Sequence, residues 1–242
     1  MLVFVSDVHL TRPHTKKYEA FLSLLKKCRD DKKVEQLFLC GDVFDIWLGH
    51  KSYFFNKHKD VVSLLKEISA LKKVHIFEGN HDFHFKASWW RKHQIEIHKE
   101  SYEFDYDNKK WFVCHGDLLN QKDYGYKFLR WYFRSWFAQF LIFILPGALL
   151  NAIGEALSTT EYKSSKNFKH PSKEVFLKNW ENWIRELKKS KDFDVFVCGH
   201  YHVRLKEKID NIETYNLGSW LGQNYKYFSY DSGRAEFIAI ET

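Results

Sequence analysis

The stretch GNHDFHF, residues 79 to 85, sets an amide and an imidazole side by side directly after a glycine. Taken alone, Gly-Asn-His-Asp is a turn signal, because glycine and asparagine both tolerate left-handed backbone angles. An ordinary turn needs neither the amide of Asn80 nor the imidazole of His81. The turn interpretation therefore has to be weighed against the polar residues found at corresponding places in the rest of the chain.

Five apolar runs rich in β-branched and aromatic residues predict buried core strands. They are LVFV (2–5), QLFLC (36–40), VHIFE (74–78), WFVC (111–114) and DVFVC (194–198). Each run ends at a short polar or glycine-containing loop, and these loops carry Asp7, His9, Asp42, Asn80, His81, His115, His200 and His202. The opening stretch is thus one of five similar strand ends.

Helical patterns separate the early strands, at about residues 16–29 and 58–72, and a further helix is predicted at 172–189. The order strand, helix, strand, helix, strand is typical of an α/β fold with an open or two-layered sheet. Three runs near the C-terminus, IETYNLGSW, YKYFSY and AEFIAI, resemble antiparallel strands. A chain of 242 residues, 45% of them hydrophobic, is expected to form a single domain, residues 1–242.

The segment at about 123–170 departs from this alternation, being helical, aromatic and strongly apolar. Polar and helix-breaking residues, among them Gln139 and Pro146-Gly147, interrupt every window of about 20 apolar residues that a membrane span needs. Two helices broken at Pro146-Gly147 are therefore predicted. Basic residues share one stripe of the first helix: Lys127, Arg130 and Arg134. The patterns leave open a core helix with a solvated basic edge and a lipid-facing cap.

The polar strand ends are predicted to meet in one crevice, because the carboxyl ends of strands in an α/β sheet lie along one edge. Asp7 and His9 are two residues apart and should leave the same side of an extended segment, as should His200 and His202. A lone histidine in a chain with 13 of them is more often a core or surface residue than a metal ligand. That explanation does not account for polar side chains that recur at the ends of five predicted strands. Oxygen and nitrogen ligands suit Mn²⁺, Fe or Zn²⁺, and seven are too many for one ion. Two ions sharing a carboxylate would use them all, as in sites that perform displacement at phosphorus.

The formal charge of +7 predicts an anionic partner, which could be nucleic acid, an acidic membrane surface or a phosphorylated small molecule. The cysteines are Cys28, Cys40, Cys114 and Cys198; they form no CxxC pair and are interpreted as small buried hydrophobes rather than thiolate ligands. The start MLVFVSD has no basic region followed by an apolar leader. The expectation is a cytoplasmic protein with reduced thiols.

The ordered series DVH, GD, GNHD, HGD and GHYH resembles the calcineurin-like metallophosphoesterase superfamily over nearly the whole chain. The resemblance implies a four-layer αββα sandwich of two sheets around a dinuclear metal centre. The implied ligands are Asp7, His9, Asp42 and His202 for one metal, and Asp42 as the bridge with Asn80, His115 and His200 for the other. His81 would approach the scissile phosphate, to stabilise charge or protonate the leaving oxygen. Asn80 and His81 are thus the implied catalytic residues.

Within that superfamily, GDVFDIWLG at 41–49, Asp123, the helical insertion and NLGSW at 216–220 resemble the UDP-2,3-diacylglucosamine pyrophosphatases of lipid A synthesis. These enzymes hydrolyse a diacylated UDP-sugar to UMP and a diacylglucosamine 1-phosphate, with manganese in the site and the acyl chains under a helical cap. The resemblance implies an acylated UDP-sugar as substrate, two Mn²⁺ ions, and a peripheral position on the anionic cytoplasmic face of the inner membrane. The implied substrate contacts are Asn80, His81, Asp123, Thr159, Lys163, Lys166 and His200.

Two positions depart from that pattern. The pyrophosphatases have arginine where this chain has His81, and an imidazole cannot copy the bidentate fork of a guanidinium on phosphate. Gly49-His50-Lys51 replaces the acidic ending that often follows the family's WxG. The alternatives are another phosphodiesterase or phosphatase, or a nuclease, although an insertion of Trp, Phe, Leu and Ile does not suit a long nucleic-acid groove. A membrane-associated binding protein with a structural metal site is the alternative from a different class, and it would need no spare imidazole.

Overall fold

The computed structural model describes residues 1–85, 87–156 and 173–240 of the chain. Within these ranges the strands are β1 (Leu2–Val5), β2 (Gln36–Leu39), β3 (Trp47–Leu48), β4 (Lys73–Phe77), β5 (Asp82–Phe83), β6 (Ile95–His98), β7 (Ser101–Tyr106), β8 (Lys109–Cys114), β9 (Val195–Cys198), β10 (Arg204–Ile209), β11 (Ile212–Leu217), β12 (Lys226–Asp231) and β13 (Arg234–Ala239). The helices are α1 (Lys16–Asp30), α2 (Ser52–Lys57), α3 (Lys59–Ser69), α4 (Ala87–Arg91), α5 (Tyr124–Arg134), α6 (Trp136–Ile144), α7 (Gly147–Ala156) and α8 (Lys173–Lys188).

Two large sheets organise these elements. The first has the strand order β13-β12-β1-β2-β4-β6 and the second β10-β11-β9-β8-β7. Strands β1, β2, β4 and β6 are mutually parallel, as expected where helices form the crossovers, and β8, β9 and β11 are parallel in the second sheet. The carboxyl ends of β1, β2 and β4 consequently lie along one edge of the first sheet.

Successive side chains of a strand point to opposite faces of its sheet, so the two sheets divide the interior into three apolar cores. In β1, Val3 and Val5 pack with α1 and α3, whereas Leu2 and Phe4 pack between the sheets. In β9, Phe196 packs with α8 on the outer face of the second sheet. The layers are therefore helices, sheet, sheet and helix, and the predicted four-layer αββα sandwich is confirmed.

Several elements differ from those expected from the sequence. The helix predicted at 58–72 is present as α3, and the short helix α2, which the sequence analysis did not predict, precedes it and meets it at His58. The run IETYNL does not join the C-terminal hairpin: it forms β11 of the second sheet, parallel to β9 and antiparallel to β10. Only β12 and β13 form the expected antiparallel pair beside β1. Strands β6, β7 and β10 were missed, because charged residues interrupt their apolar patterns.

The described part of the insertion contains three helices rather than two. The predicted break at Pro146-Gly147 is present, and the axes of α6 and α7 are bent by 119° there. A second break occurs at Ser135, whose side chain accepts a hydrogen bond from Ala138 N and caps α6. Helix α5 contains no buried residue, so it is not the core helix that one of the two sequence interpretations required.

Candidate metal centre

The loops after β1 and β2 are held against each other by backbone hydrogen bonds. The amides of Asp7 and His9 donate to the carbonyl oxygens of Gly41, at 3.1 Å, and of Asp42, at 3.0 Å. Asp7, His9 and Asp42 all have left-handed backbones, with φ of 50°, 50° and 52°. Non-glycine residues adopt this conformation at an energetic cost and are frequent in functional loops. The expectation of an extended segment was wrong here.

Asp82 holds the loop after β2 and the GNHD turn together. Its buried carboxylate accepts hydrogen bonds from the backbone amides of Gly79, at 3.0 Å, of Asp42, at 2.9 Å, and of Val43, at 2.8 Å. Gly79 is required at this approach, because an added Cβ would collide with the carboxylates of Asp42 and Asp82. Burial and the charge of Asp42 raise the pKa of Asp82 to about 7. The last residue of the GNHD motif thus shapes the turn that presents Asn80.

A first group of metal-ligating atoms comes from both sheets. Asp7, His9 and His202 have ligand atoms within 4.8 Å of one another, and His202 Nε2 lies 3.2 Å from Asp7 Oδ1. Asp45 Oδ1 is 3.7 Å from His9 Nδ1, which leaves Nε2 of His9 for the centre. Ser6 Oγ donates to Asp7 Oδ2 at 2.5 Å and orients that carboxylate.

A second group lies beside the first. Asp42, His115 and His200 also have ligand atoms within 4.8 Å of one another. Asn80 Oδ1 joins them, at 3.1 Å from His115 Nε2 and 3.2 Å from His200 Nδ1. His115 Nδ1 donates to the carbonyl of Cys40 at 2.9 Å, so Nε2 faces the group with its lone pair. The structure therefore brings all seven predicted ligands together, while the bridging role of Asp42 stays a prediction.

Opposite charges shift the pKa values within the centre. Burial raises the pKa of Asp7 and of Asp42, but the neighbouring imidazoles outweigh burial and keep both pKa values below the usual range. Burial lowers the pKa of His115 and of His202, but the carboxylates of Asp42 and Asp7 outweigh burial and raise both. Burial lowers the pKa of His200 to about 4. The carboxylates are thus ionised at neutral pH, and His200 offers a lone pair.

The unpaired atoms of the centre fit a divalent cation. His9 Nε2 is buried and makes no hydrogen bond within the described residues, and the buried Asp7 Oδ1 faces the Nε2 of another predicted ligand, His202, at 3.2 Å. Buried polar atoms are normally paired, and a cation would satisfy both of them. The donors are carboxylate oxygens, imidazole nitrogens and one amide oxygen, a set that suits Mn²⁺, Fe or Zn²⁺. No cysteine belongs to a metal-ligating group in the described part of the chain.

His81 lies at the edge of the first group. Its ring meets that of His9 edge to face, with centroids 4.9 Å apart, and its Nδ1 contacts the carbonyl oxygen of Asp45 at 3.1 Å. The backbone amide of His81 donates to Asp42 Oδ1 at 2.9 Å. The ring is part-exposed, whereas Asp7 and Asp42 are buried. An imidazole so placed is beside the ligands and still open to a substrate phosphate.

Helix α5 is tied to the loops that carry the ligands. Tyr126 Oη and Arg130 Nε each donate to Asp117 Oδ2 at 2.7 Å, and the ring of Tyr126 lies 5.9 Å from that of His200. Asp117 is the last residue of the HGD motif, to which sequence reasoning gave no role. The spacing of Tyr126 and Arg130, four residues apart on a predicted helix, was the only signal that could have paired them with it.

The remaining predicted substrate residues lie away from these contacts or outside the described ranges. Asp123 is the exposed N-cap of α5, and its side chain accepts a hydrogen bond from Tyr126 N at 2.9 Å. The other three are Thr159, Lys163 and Lys166, which fall outside the described residues. Asn80 and His200 belong to the second ligand group, so a substrate that reaches them also meets the metal centre.

Known proteins are similar to this chain over most of its length. Residues 1–204 match the family model of calcineurin-like phosphoesterases. Two relatives, each named UDP-2,3-diacylglucosamine hydrolase, come from Blochmanniella pennsylvanica, 26% identical and aligned over 86% of this chain and 81% of the relative, and from Haemophilus influenzae, 23% identical over 97% of both. The solved structure of an archaeal phosphodiesterase shares the fold, with a TM-score of 0.51, 15% identity and 98% of both chains covered. The chain therefore belongs to the calcineurin-like phosphoesterase family and is a metal-dependent hydrolase.

Proposed function

We propose that this chain hydrolyses the pyrophosphate of a diacylated UDP-sugar of the UDP-2,3-diacylglucosamine type, releasing UMP and a diacylglucosamine 1-phosphate. The observation that carries the proposal is an apolar helical cap, formed by α5, α6 and α7. Its first helix, α5, is hydrogen-bonded to Asp117 in one of the loops that carry the predicted ligands. The name shared by the relatives from Blochmanniella pennsylvanica and Haemophilus influenzae supports the same substrate class. The products and the hydrolysed bond are those of water attack at one phosphorus of the anhydride.

Each group of the centre has a task in this reaction. Asp7, His9, Asp42 and His202 would hold one divalent ion, and Asp42, Asn80, His115 and His200 a second, with Mn²⁺ as the proposed metal. Such a pair supplies an activated water and neutralises the phosphate oxygens when bound. His81, being beside the ligands and part-exposed, donates a hydrogen bond or a proton to the phosphate. Asp45 and Ser6 orient His9 and Asp7.

The cap presents an unusually large apolar surface for helices next to a polar site. Its exposed apolar side chains are Tyr124, Phe128, Leu129, Trp131, Tyr132, Phe133, Trp136, Phe137, Phe140, Phe143, Ile144, Leu149 and Ile153. Exposed apolar surface of this kind marks sites for lipid or protein partners. Because Tyr126 and Arg130 fasten α5 beside His200, an acyl chain on the cap would belong to a molecule whose head group reaches the metals.

The same cap suits a peripheral position on an anionic membrane surface, the proposed cytoplasmic location. Among the described residues no single helix is long and apolar enough to cross a membrane, although the bent pair α6 and α7 passes the test of length and composition. Interfacial helices combine exposed aromatic residues with basic side chains, and the chain carries a formal charge of +7. A diacylated substrate resides in such a surface, so the cap would meet it there.

The test compares two substrates on matched variants. We expect Trp136→Ser combined with Phe140→Ser to lower kcat/KM for UDP-2,3-diacylglucosamine at least tenfold and to leave hydrolysis of a soluble aryl phosphodiester nearly unchanged. Each lost methylene contact costs about 0.8 kcal/mol of binding free energy, so the loss of a few such contacts accounts for the decrease in kcat/KM. Trp136 and Phe140 are 79% and 53% exposed, and Leu71, which is 69% exposed just after the end of α3, gives the control Leu71→Ser.

Three results would overturn the proposal. Equal losses on both substrates would mean that the aromatic residues only support the fold. A wild-type preference for unacylated UDP-glucosamine would exclude a diacylated substrate. Metal binding without turnover of either substrate would indicate a binding protein with a structural metal site.

A further inference from the structure

A separate set of metal-ligating side chains lies on β6, an edge strand of the first sheet, and on its neighbour β4. His75 of β4 and Glu96 and His98 of β6 have ligand atoms within 4.8 Å of one another. The parallel register pairs His75 with Glu96, and His98 follows Glu96 by two residues, so all three lie on the same face. None of them belongs to the ligand groups of the catalytic loops.

The three ligand atoms have the spacing of a tetrahedral site. His75 Nδ1 lies 3.0 Å from His98 Nε2, and Glu96 Oε2 lies 3.5 Å from the first nitrogen and 3.8 Å from the second. Zinc binds nitrogen and oxygen ligands at about 2.0–2.2 Å, which puts two tetrahedral ligands about 3.3 Å apart. The three distances span that value, so an ion can be placed with only small side-chain adjustments.

Neighbouring residues fix the imidazoles in the orientation that a metal requires. Gln36 Oε1 lies 3.1 Å from His75 Nε2, so this nitrogen donates and Nδ1 presents its lone pair. The ring of His75 is stacked between Phe38, at 4.6 Å, and Tyr102, at 4.9 Å. Tyr102 also packs on His98 at 4.6 Å. Burial lowers the pKa of His75 to about 3 and that of His98 to about 4, so both rings are neutral at pH 7.

A hydrogen bond between the two imidazoles accounts for only part of this arrangement. It explains the 3.0 Å separation of the nitrogens, but it gives no reason for a carboxylate within 3.8 Å of both of them. The side chain of Glu96 is 57% exposed and His75 is fully buried, so one side of the cluster is open to solvent and the other is rigid. A metal can therefore enter from the open edge and keep a water as its fourth ligand.

We propose that His75, Glu96 and His98 form a zinc(II) site that ties the outer strand β6 to β4. Two imidazoles and one carboxylate suit zinc, and among divalent metals the affinity of nitrogen-containing sites rises from manganese to copper and then falls at zinc. The site is distinct from the catalytic centre and does not depend on the proposed substrate. Its occupancy stabilises the edge of the sheet, because β6 pairs with no strand other than β4 in the described part of the chain.

The test counts zinc in protein whose catalytic centre has been disabled. In a background that combines Asp7→Ala with Asp42→Ala, so that each ligand group of the catalytic loops loses its carboxylate, we expect one equivalent of Zn²⁺ to remain bound in competition with a chelator of known affinity, and Glu96→Gln or His98→Gln to weaken it at least tenfold. Gln36→Leu should weaken binding 10- to 100-fold, because it removes only the partner that orients His75. Glu100→Gln, the same change two residues beyond His98, is the control and should bind zinc as the parent does. With Co²⁺, the parent should show the intense visible absorption of tetrahedral cobalt, and the two ligand variants should lose it.

Two results would overturn the site. One is a zinc stoichiometry and affinity that Glu96→Gln and His98→Gln leave unchanged; the other is absence of the bound equivalent in the parent that carries Asp7→Ala and Asp42→Ala. Circular dichroism and thermal unfolding without metal identify a variant that has not folded, and Glu96→Gln, being at an exposed position, keeps the test available if His98→Gln fails to fold. Zinc should raise the thermal midpoint of the parent and of Glu100→Gln, but not that of Glu96→Gln.

Discussion

Asp82 shows how one buried carboxylate can shape a metal centre without belonging to either of its ligand groups. It accepts backbone hydrogen bonds from Gly79, Asp42 and Val43, and so sets the position of two loops that come from different strands. A ligand such as Asn80 or Asp42 acts only if its backbone is held within a fraction of an ångström. The carboxylate of Asp82 performs this positioning.

Asp82→Asn is expected to lower Mn²⁺ affinity 10- to 100-fold, with kcat/KM falling in parallel at limiting metal. The amide places an N–H group opposite one of the backbone N–H donors, so at least one hydrogen bond is lost and the loops separate. Calorimetric titration of metal into the metal-free variant measures the change. Asp105→Asn makes the same substitution at an exposed position and should bind as the wild type does. Wild-type affinity in Asp82→Asn would show that the loops hold their shape without it.

His81→Ala is expected to keep its metals and to lose rate, by about 10²- to 10⁴-fold, as for other groups that act on a transition state. Its ring stands beside His9 and remains part-exposed, where a substrate phosphate can reach it, and its ligand atoms also lie within 4.8 Å of those of His9 and Asp45, so the two roles have to be separated by experiment. Metal content and single-turnover rate measured on the same preparation separate the two roles. Loss of metal in proportion to loss of rate would make His81 a ligand.

Sequence reasoning selected the seven predicted ligands, which the structure brings together, because each belongs to a short motif at the end of a predicted strand. It gave Asp82 and Asp117 no role, although both stand inside quoted motifs, because their partners are backbone amides and residues of α5. Such contacts depend on how loops and helices meet in space. Spacing along the chain does not encode them.

Helix α5 illustrates the same point for a whole element. Its basic stripe predicted either a solvated edge or a lipid-facing surface, but two of the three basic residues point inward. Arg130 pairs with Asp117 at 2.7 Å, and Arg134 pairs with the buried Glu78 and donates to Gly79 O at 3.1 Å. The stripe anchors the cap, and the opposite face carries the exposed aromatic residues. Periodicity predicted a basic face and an aromatic face for α5, but it could not show which of the two packs against the rest of the protein.

Arg134→Met is expected to reduce the free energy of unfolding by about 3–5 kcal/mol, because it leaves the carboxylate of Glu78 buried without its counterion. Glu78 is 2% exposed and keeps only one other hydrogen bond among the described contacts, from Phe85 N at 3.0 Å. The double variant Arg134→Met with Glu78→Gln should recover part of the loss, since no buried charge then remains. Urea unfolding of the wild type, both single variants and the double variant measures the coupling. A loss below about 1 kcal/mol in Arg134→Met would show that Glu78 is neutralised by other means.

At the scale of the whole molecule, the sandwich follows from features that the sequence carries openly. Period-two alternation in β1 and β9 sends one set of side chains between the sheets and the other set to the helices. The assignment of β11 to the second sheet did not follow, because strand pairing partners are decided by loops and cores distant in sequence. The layers could therefore be predicted, but the exact strand order could not.

Acid should unfold the protein partly through His58, which lies at the junction of α2 and α3. Within the described residues neither ring nitrogen of His58 has a hydrogen-bond partner, and the ring packs among Tyr18, Phe44 and Trp47. Burial lowers its pKa from 6.5 to about 3. The folded state therefore keeps His58 neutral, while the unfolded chain binds a proton below pH 6.5. The stability due to this difference is complete above pH 6.5 and is lost as the pH falls toward 3.

The expected loss is about 1.4 kcal/mol for each pH unit below 6.5, or about 2 kcal/mol at pH 5, from His58 alone. His58→Leu removes the titrating group, so the difference in unfolding free energy between this variant and the wild type should change by that amount between pH 7 and pH 5. His14 has an exposed side chain, and His14→Asn is the control substitution. Denaturant unfolding of the metal-free proteins at the two pH values gives the four free energies for each comparison. Parallel pH dependence in the wild type and His58→Leu would mean that the ring reaches solvent or a partner in the folded state, and that the junction between α2 and α3 opens far more easily than its packing against Trp47 implies.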